Sequence, residues 1–148
     1  MRALIQVVRK SAVSVDGQVI GSINRGFTVF LGYGHTDTPA TCEKLLNKML
    51  KLRIFPDATG KTNCSLQDIG GELLMISQFT LYADCKKGNR PSFIHSAPPE
   101  PAKKLYAHSI DFVRAAGFTV ATGEFGADMT VDIENDGPFT IWLDSDSL

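Results

Sequence analysis

The most unusual segment of the chain is Leu73-Leu-Met-Ile-Ser-Gln-Phe-Thr-Leu-Tyr82, where unbroken apolar side chains give way to hydroxyl and amide groups. Read as a strand, its period of two puts Ser77, Phe79 and Leu81 on one face and Gln78, Thr80 and Tyr82 on the other. Polar groups on both faces could border a site. The commoner origin of such a pattern is a strand end emerging into water, with Thr and Tyr selected for their β propensity. Directly afterwards Lys86-Lys-Gly-Asn-Arg-Pro-Ser-Phe93 sets Lys86, Lys87 and Arg90 around a glycine. Together with free backbone N–H groups, these cations could hold a phosphodiester, although short basic runs are more often solvated loops. Further on, Asn135-Asp-Gly-Pro138 reads as a turn between two alternating strands. A proline there cannot donate into the next strand, and a cis Gly137-Pro138 bond would make sense of it.

Other chemistries find little footing. Cys42, Cys64 and Cys85 form no C-x-x-C pair and have no histidine at zinc-ligand spacing, and His35, His95 and His108 make no H-E-x-x-H or H-x-H pattern. The thiols therefore read as filler in a reduced, cytosolic protein that binds no metal. No Ser-His-Asp order, glycine-rich phosphate loop or catalytic carboxylate pair can be assembled. Asp128, Asp132 and Glu134 read as strand residues that meet solvent.

The elements that must position these segments follow from pattern. Val13 to Ile20 alternates across Asp16-Gly17, a dipeptide suited to a hairpin turn. Phe27 to Tyr33 is apolar almost throughout, which suits a central strand covered on both faces. Thr38-Pro39 opens a helix carrying Cys42, Leu45, Leu46, Met49 and Leu52 on one face. Pro56 to Gly60 and Asp68 to Gly71 read as turns bracketing short strands, and Glu72 to Tyr82 is the longest strand candidate. A second helix after Ala97-Pro-Pro-Glu-Pro101 carries Ala102, Leu105, Tyr106, Ser109, Phe112, Val113 and Ala116 on one face and stops at Gly117. Strands return at Phe118 to Ala121, Asp128 to Ile133 and Phe139 to Leu143. The order predicts one α+β domain, residues 1–148, with a largely antiparallel sheet and two main helices. A length of 148 residues leaves no room for a second domain. The formal charge of −1 excludes a coating of basic residues, so any nucleic-acid contact must be local. No apolar run is long enough for a secretory signal or a spanning helix, which predicts a cytoplasmic protein without a membrane partner.

Four segments together, Ser77-Gln-Phe-Thr-Leu-Tyr82, Gly88-Asn-Arg-Pro-Ser-Phe93, Phe125-Gly-Ala-Asp-Met129 and Asn135-Asp-Gly-Pro-Phe-Thr140, resemble the signatures of the D-aminoacyl-tRNA deacylase family. The resemblance runs from residue 1 to about 144 and includes Asp16-Gly-Gln-Val19 and Gly70-Gly-Glu-Leu-Leu74. It implies a barrel-like α+β homodimer that needs no cofactor or metal. Such an enzyme hydrolyses the ester joining a D-amino acid, or glycine mischarged on alanine tRNA, to the terminal adenosine of tRNA. It has neither DNA nor a membrane as partner. The resemblance makes Ser77, Gln78, Phe79 and Thr80 the floor of the active site, and Met129, Gly137 and Pro138 substrate-binding residues. Lys86, Lys87 and Arg90 become contacts to tRNA. Gly137-Pro138 is expected to be a cis dipeptide inserted from the partner subunit, with its carbonyls accepting from the substrate ammonium and excluding an L side chain.

No general base for Thr80 is visible. What the family suggests instead is attack by water assisted by the substrate's 2′-hydroxyl, with backbone N–H groups near Phe79 and Thr80 steadying the oxyanion. Val7 stands where the family usually has an arginine that holds the dipeptide, leaving that task to Arg9 or Arg2, and Phe139 stands where valine is usual. A sister class that edits L-alanyl-tRNA shares both features but reads Pro-Gln-Ala-Thr in the polar strand, so Ser77-Gln-Phe-Thr80 favours the D-specific class. The rivals are that sister activity, a non-catalytic RNA-binding dimer, and a small-molecule hydrolase using Cys85 or Thr80.

Overall fold

The computed structural model describes all residues, Met1–Leu148. The chain opens with β1 (Arg2–Val15), turns through Asp16 and Gly17 at φ of 50° and 76°, and returns as β2 (Gln18–Ile23). Both turn residues have positive φ, the geometry whose twist matches that of the flanking strands. Next come β3 (Gly26–Gly32), α1 (Pro39–Leu50), a short hairpin of β4 (Phe55–Pro56) and β5 (Thr62–Cys64), and β6 (Glu72–Ser77). A 3-10 helix (Phe79–Tyr82), α2 (Pro99–Ala115), β7 (Val120–Thr122) and β8 (Thr130–Asp144) complete the order, apart from a last 3-10 turn at Ser145–Ser147.

The expected helices are present. Thr38 caps α1 by accepting the N–H of Thr41 at 3.2 Å, and Pro39 occupies the first turn, where its missing N–H has no partner to lose. In α2 the buried face includes Ile110, while Phe112 is half-buried and Ala116 exposed; Gly117 ends the segment at φ 91°. No helix is long and apolar enough to cross a membrane.

The main sheet runs β2-β1-β3-β6-β7, with β8 on the other edge of β1. β1 is long enough for β3 to pair with its first half and β2 with its second, while β8 pairs along nearly all of it. The pairings of β1 are antiparallel, but β3 with β6 and β6 with β7 are parallel, so the sheet is mixed. Parallel neighbours need long crossovers. α1 lies within the one from β3 to β6, and α2 within the one from β6 to β7. At the far edges β2 approaches β7 without a ladder: a Cβ added to Gly21 would lie 2.8 Å from the Thr122 carbonyl oxygen. The result is a nearly closed barrel.

β3 is central, as its apolarity predicts, with Phe27, Val29 and Leu31 buried toward the helices. They meet Leu45, Leu46, Met49, Leu105 and Val113, and Phe27 stacks on Phe55 at 5.2 Å between ring centroids. A smaller apolar cluster of Val8, Val13, Ile23, Leu74 and Ile76 occupies the other face.

Three expectations fail. The strand expected over Glu72 to Tyr82 stops at Ser77, and the chain winds into the 3-10 helix. Asn135 to Pro138 does not join two strands by a turn; β8 continues through it as one 15-residue strand. Asp128 precedes that strand rather than belonging to it.

Gly26 faces Glu72 so closely that an added Cβ would lie 1.9 Å from the Glu72 carbonyl oxygen. Since backbone on both sides leaves nothing flexible to yield, Gly26→Ala should lower the unfolding free energy by about 3 kcal/mol or more, read from a urea midpoint.

Candidate active site

The site begins where β6 loses its ladder. Leu31 is the last residue of β3 paired with it, opposite Ser77, and the Gln78 N–H donates to the Leu31 carbonyl at 2.7 Å. Beyond this bond the backbone turns, Leu81 N–H reaching the Gln78 carbonyl at 3.3 Å and Ala83 N–H reaching Thr80 at 3.0 Å. Of the polar residues assigned by period two to opposite faces of a strand, Ser77 therefore ends β6, Gln78 precedes the short helix, and Thr80 and Tyr82 lie within it. β3 is shaped to receive it: a Cβ on Gly32 would lie 2.9 Å from the Gln78 carbonyl oxygen, and one on Gly34 would lie 3.0 Å from the Tyr82 ring. A helix start leaves its first N–H groups without partners inside the helix. With the Leu81 N–H used by Gln78, those of Phe79 and Thr80 remain.

Beside this turn lies a cavity of about 720 Å³. Ser77, Gln78, Phe79 and Met129 line it, together with Phe93 and Phe125. Phe79 packs edge-on against Phe93 at 5.0 Å, tying the end of the basic loop to the floor. Met129 lies so close to Gly123 that a Cβ there would meet its sulfur at 2.6 Å. The only ionisable carboxylate on the wall is the exposed Asp128, and no histidine, cysteine or lysine lines it. Tyr33, also on the wall, donates its hydroxyl to Ser109 at 3.0 Å, and burial holds its pKa well above the usual phenol range. It stays a neutral phenol at physiological pH. Nearby, Tyr106 donates to the Met75 carbonyl at 2.8 Å, and burial pushes its pKa up to about 12. Neither phenol is poised to remove a proton near neutrality.

The remaining residues singled out by sequence are spread more widely. Thr80 is exposed beside the cavity rather than on its wall, and its hydroxyl oxygen accepts from the Gln78 amide at 2.5 Å. Lys86 lines a second, polar cavity of about 450 Å³ together with Arg2, His35 and His95, while Lys87 and Arg90 are exposed on the loop. Gly137 and Pro138 do not line the large cavity of their own chain. Their peptide bond is cis and both residues are exposed. In the register of β8 on β1, Gln6 pairs with Thr140 and Val8 with Asn135, so Asp136 to Phe139 bulge out opposite Val7 alone. Arg9 lies 3.3 Å from Asp136 at the base of this bulge, whereas Arg2 pairs with Asp144 at 2.9 Å, at the end of the same strand.

Sequence reasoning missed Leu31 and Tyr33 at the end of β3, and the wall formed by Ser96 to Pro99 and Ala102. The proline-rich run before α2 was a visible signal, but only as a helix start.

The family model for D-Tyr-tRNA(Tyr) deacylase matches residues 4–144. This chain belongs to that family. A relative from Clostridium novyi, named D-aminoacyl-tRNA deacylase, is 55% identical over 145 residues, covering 98% of this chain and 97% of its own. One of the same name from Aquifex aeolicus is 56% identical, with 98% of both chains covered. A solved structure described as c-Myc DNA Unwinding Element Binding Protein superposes with a TM-score of 0.92 at 39% identity, covering 97% of this chain and 98% of that one. Another, described as a probable eukaryotic D-amino acid tRNA deacylase, shares the fold with a TM-score of 0.85 at 18% identity, covering 96% and 97%. The match to the deacylase family spans every wall of the cavity and the bulge of β8.

The thiols stand apart from this deacylase-family cavity. Cys42 is fully buried on the inner face of α1, where burial raises its pKa to about 11, Cys64 is half-buried and Cys85 exposed. Since the thiolate is the reactive form, an aromatic disulfide reagent at pH 8 should consume Cys85 rapidly and Cys42 only after unfolding. Rapid native reaction at Cys42 would contradict the packing of α1.

Proposed function

We propose that this chain hydrolyses the ester between a D-amino acid and the terminal adenosine of tRNA, in the cytoplasm and as a homodimer. The observation that carries the reading is the polar turn Ser77 to Thr80 bordering a large, mostly apolar cavity, in a chain whose relatives at 55% and 56% identity are named D-aminoacyl-tRNA deacylase. The apolar walls accept the adenosine and part of the aminoacyl group, and the backbone N–H groups of Phe79 and Thr80 receive the carbonyl oxygen as it becomes an oxyanion. One such donor is worth about 2.7–4 kcal/mol in the transition state.

Water adds to the ester carbonyl while the neighbouring 2′-hydroxyl of the substrate relays its proton. The bond to the 3′-oxygen breaks, that oxygen takes the proton, and free amino acid and tRNA leave. Thr80 is not the nucleophile in this scheme, and the absence of a basic side chain on the cavity wall supports that assignment.

Chirality is read by Gly137 and Pro138 of the partner subunit. The exposed bulge that carries them, and its separation from the cavity of its own chain, support their use across a dimer interface. Arg9, through Asp136, takes the supporting role that Val7 cannot perform. The dimer is further supported by Trp142, which is 48% exposed and lies opposite Leu4 in the ladder, an apolar group that benefits from cover. The two carbonyls accept from the substrate ammonium and block an L side chain, while glycine on alanine tRNA passes. Lys86, Lys87 and Arg90 steer the acceptor stem through its phosphates.

Purified protein should release D-tyrosine or D-aspartate from tRNA and leave the matched L-esters intact; equal rates for both would overturn the reading, and release of L-alanine alone would favour the sister activity. Thr80→Ala should lose less than about tenfold in kcat, because a nucleophile would lose far more. Substrate ending in 2′-deoxyadenosine should slow by more than about a hundredfold, the scale of a proton relay. Light scattering should give twice the 16.1 kDa chain mass. A lone protomer would refute the cross-subunit dipeptide while leaving hydrolysis to the first assay.

A further inference from the structure

The 3-10 helix lies past the last ladder bond of β6, so its exact seat depends on what grips its far end. Arg2 grips it in two ways. Its Nη1 donates to the Leu81 carbonyl at 2.9 Å, and its guanidinium carbon stands 4.3 Å from the centre of the Tyr82 ring. The same fork donates through Nε to Asp144 at 2.9 Å, and Trp142 lies 5.8 Å away. Arg2 therefore joins β1, β8 and the 3-10 helix. On the other side of Tyr82, the phenol reaches Asp37 at 3.4 Å, and that carboxylate also receives the Gly34 N–H at 2.7 Å and the amino group of Met1.

This arrangement is more than a surface ion pair. The Arg2 and Asp144 side chains are 31% and 18% exposed, and a planar fork with two directed bonds and a stacked ring fixes orientation in a way that an ammonium does not. Arg2 also stays outside the large cavity. We propose that Arg2 is a positioning residue for ester hydrolysis. By holding the Leu81 carbonyl and the Tyr82 ring, it sets the backbone of Phe79 and Thr80 against the reacting carbonyl without touching the substrate. This inference rests on the deacylase reading. A misplacement of about 1 Å in such a site can cost on the order of a hundredfold in rate.

The test uses full-length Arg2→Met, which keeps the apolar stem, and Arg2→Lys, which keeps the charge. With D-aminoacyl-tRNA, both should lose about ten- to a hundredfold in kcat, while KM changes less than about threefold. Lysine should recover little, since one ammonium cannot reproduce the fork. Amide hydrogen exchange at Leu81 and Ala83, whose N–H groups bond to Gln78 and Thr80, should quicken in both variants, with β3 and α1 unchanged. Wild-type kcat in Arg2→Met, or a loss matched by global faster exchange and restored by lysine, would overturn the proposal. If wild-type protein leaves D-esters intact, the deacylase reading fails instead, and unchanged exchange at the 3-10 helix would still reject the role given to Arg2.

Discussion

The structure turns on the point at which β6 stops pairing with β3. β6 pairs in parallel with β3 as far as Ser77 and with β7 as far as Met75, and four successive side chains, Leu73 to Ile76, are buried. One residue later the chain must satisfy itself, and it does so by closing a tight helix. That change converts a buried strand into a rim of amide and hydroxyl groups beside a cavity. The cavity collects the ends of the three parallel strands: Leu31 and Tyr33 come from β3, Ile76 to Phe79 from β6 and Phe125 to Met129 from the chain after β7. Parallel strands bring their carboxyl ends to one edge of a sheet, where ligands commonly sit. Here the two helical crossovers create that edge.

The charge distribution fits a site that works by shape and backbone dipoles. Its walls are mostly apolar, its one tyrosine, Tyr33, is held neutral by burial, and its one carboxylate is exposed. The cations lie beyond it, with Lys86 in the neighbouring polar cavity and Lys87 and Arg90 on the outer loop. A chain with formal charge −1 can meet an RNA backbone only through such a local group. Under the proposed function, this division suits a reaction on the end of a polyanion, with the basic side chains held away from the reacting bond. Arg2 lines this second cavity and holds the far end of the 3-10 helix, whose first residue borders the large one.

Several elements were legible because their signals are local. Thr38-Pro39 followed by apolar residues at helical spacing specifies the start and buried face of α1 within a dozen residues. Asp16-Gly17 can take positive φ at little cost, so the hairpin needs no distant contact to be recognised. The polar segment after Ile76 was visible as a composition change and its residues do gather, but their arrangement was misread. Thr80 and Tyr82 carry high β propensity, and only the end of the β3 ladder and the space left by Gly32 and Gly34 favour a helix there. Asn135 to Pro138 had the composition of a turn, yet β1 is long enough to hold both flanking segments in one direction, so the extra residues bulge rather than reverse.

Sequence by itself determined the two helices, the first hairpin, the central apolar strand and the set of polar and basic segments that resemble the deacylase family, since each depends on residue type and short spacing. Tertiary structure decided that Ser77 to Phe79 and Met129 share one cavity, that Gly137-Pro138 stands outside it, and that Arg9 rather than Arg2 lies beside the bulge. These relations join residues far apart in the chain. They depend on strand register and barrel closure, where long-range packing chooses among positions that local patterns leave equivalent.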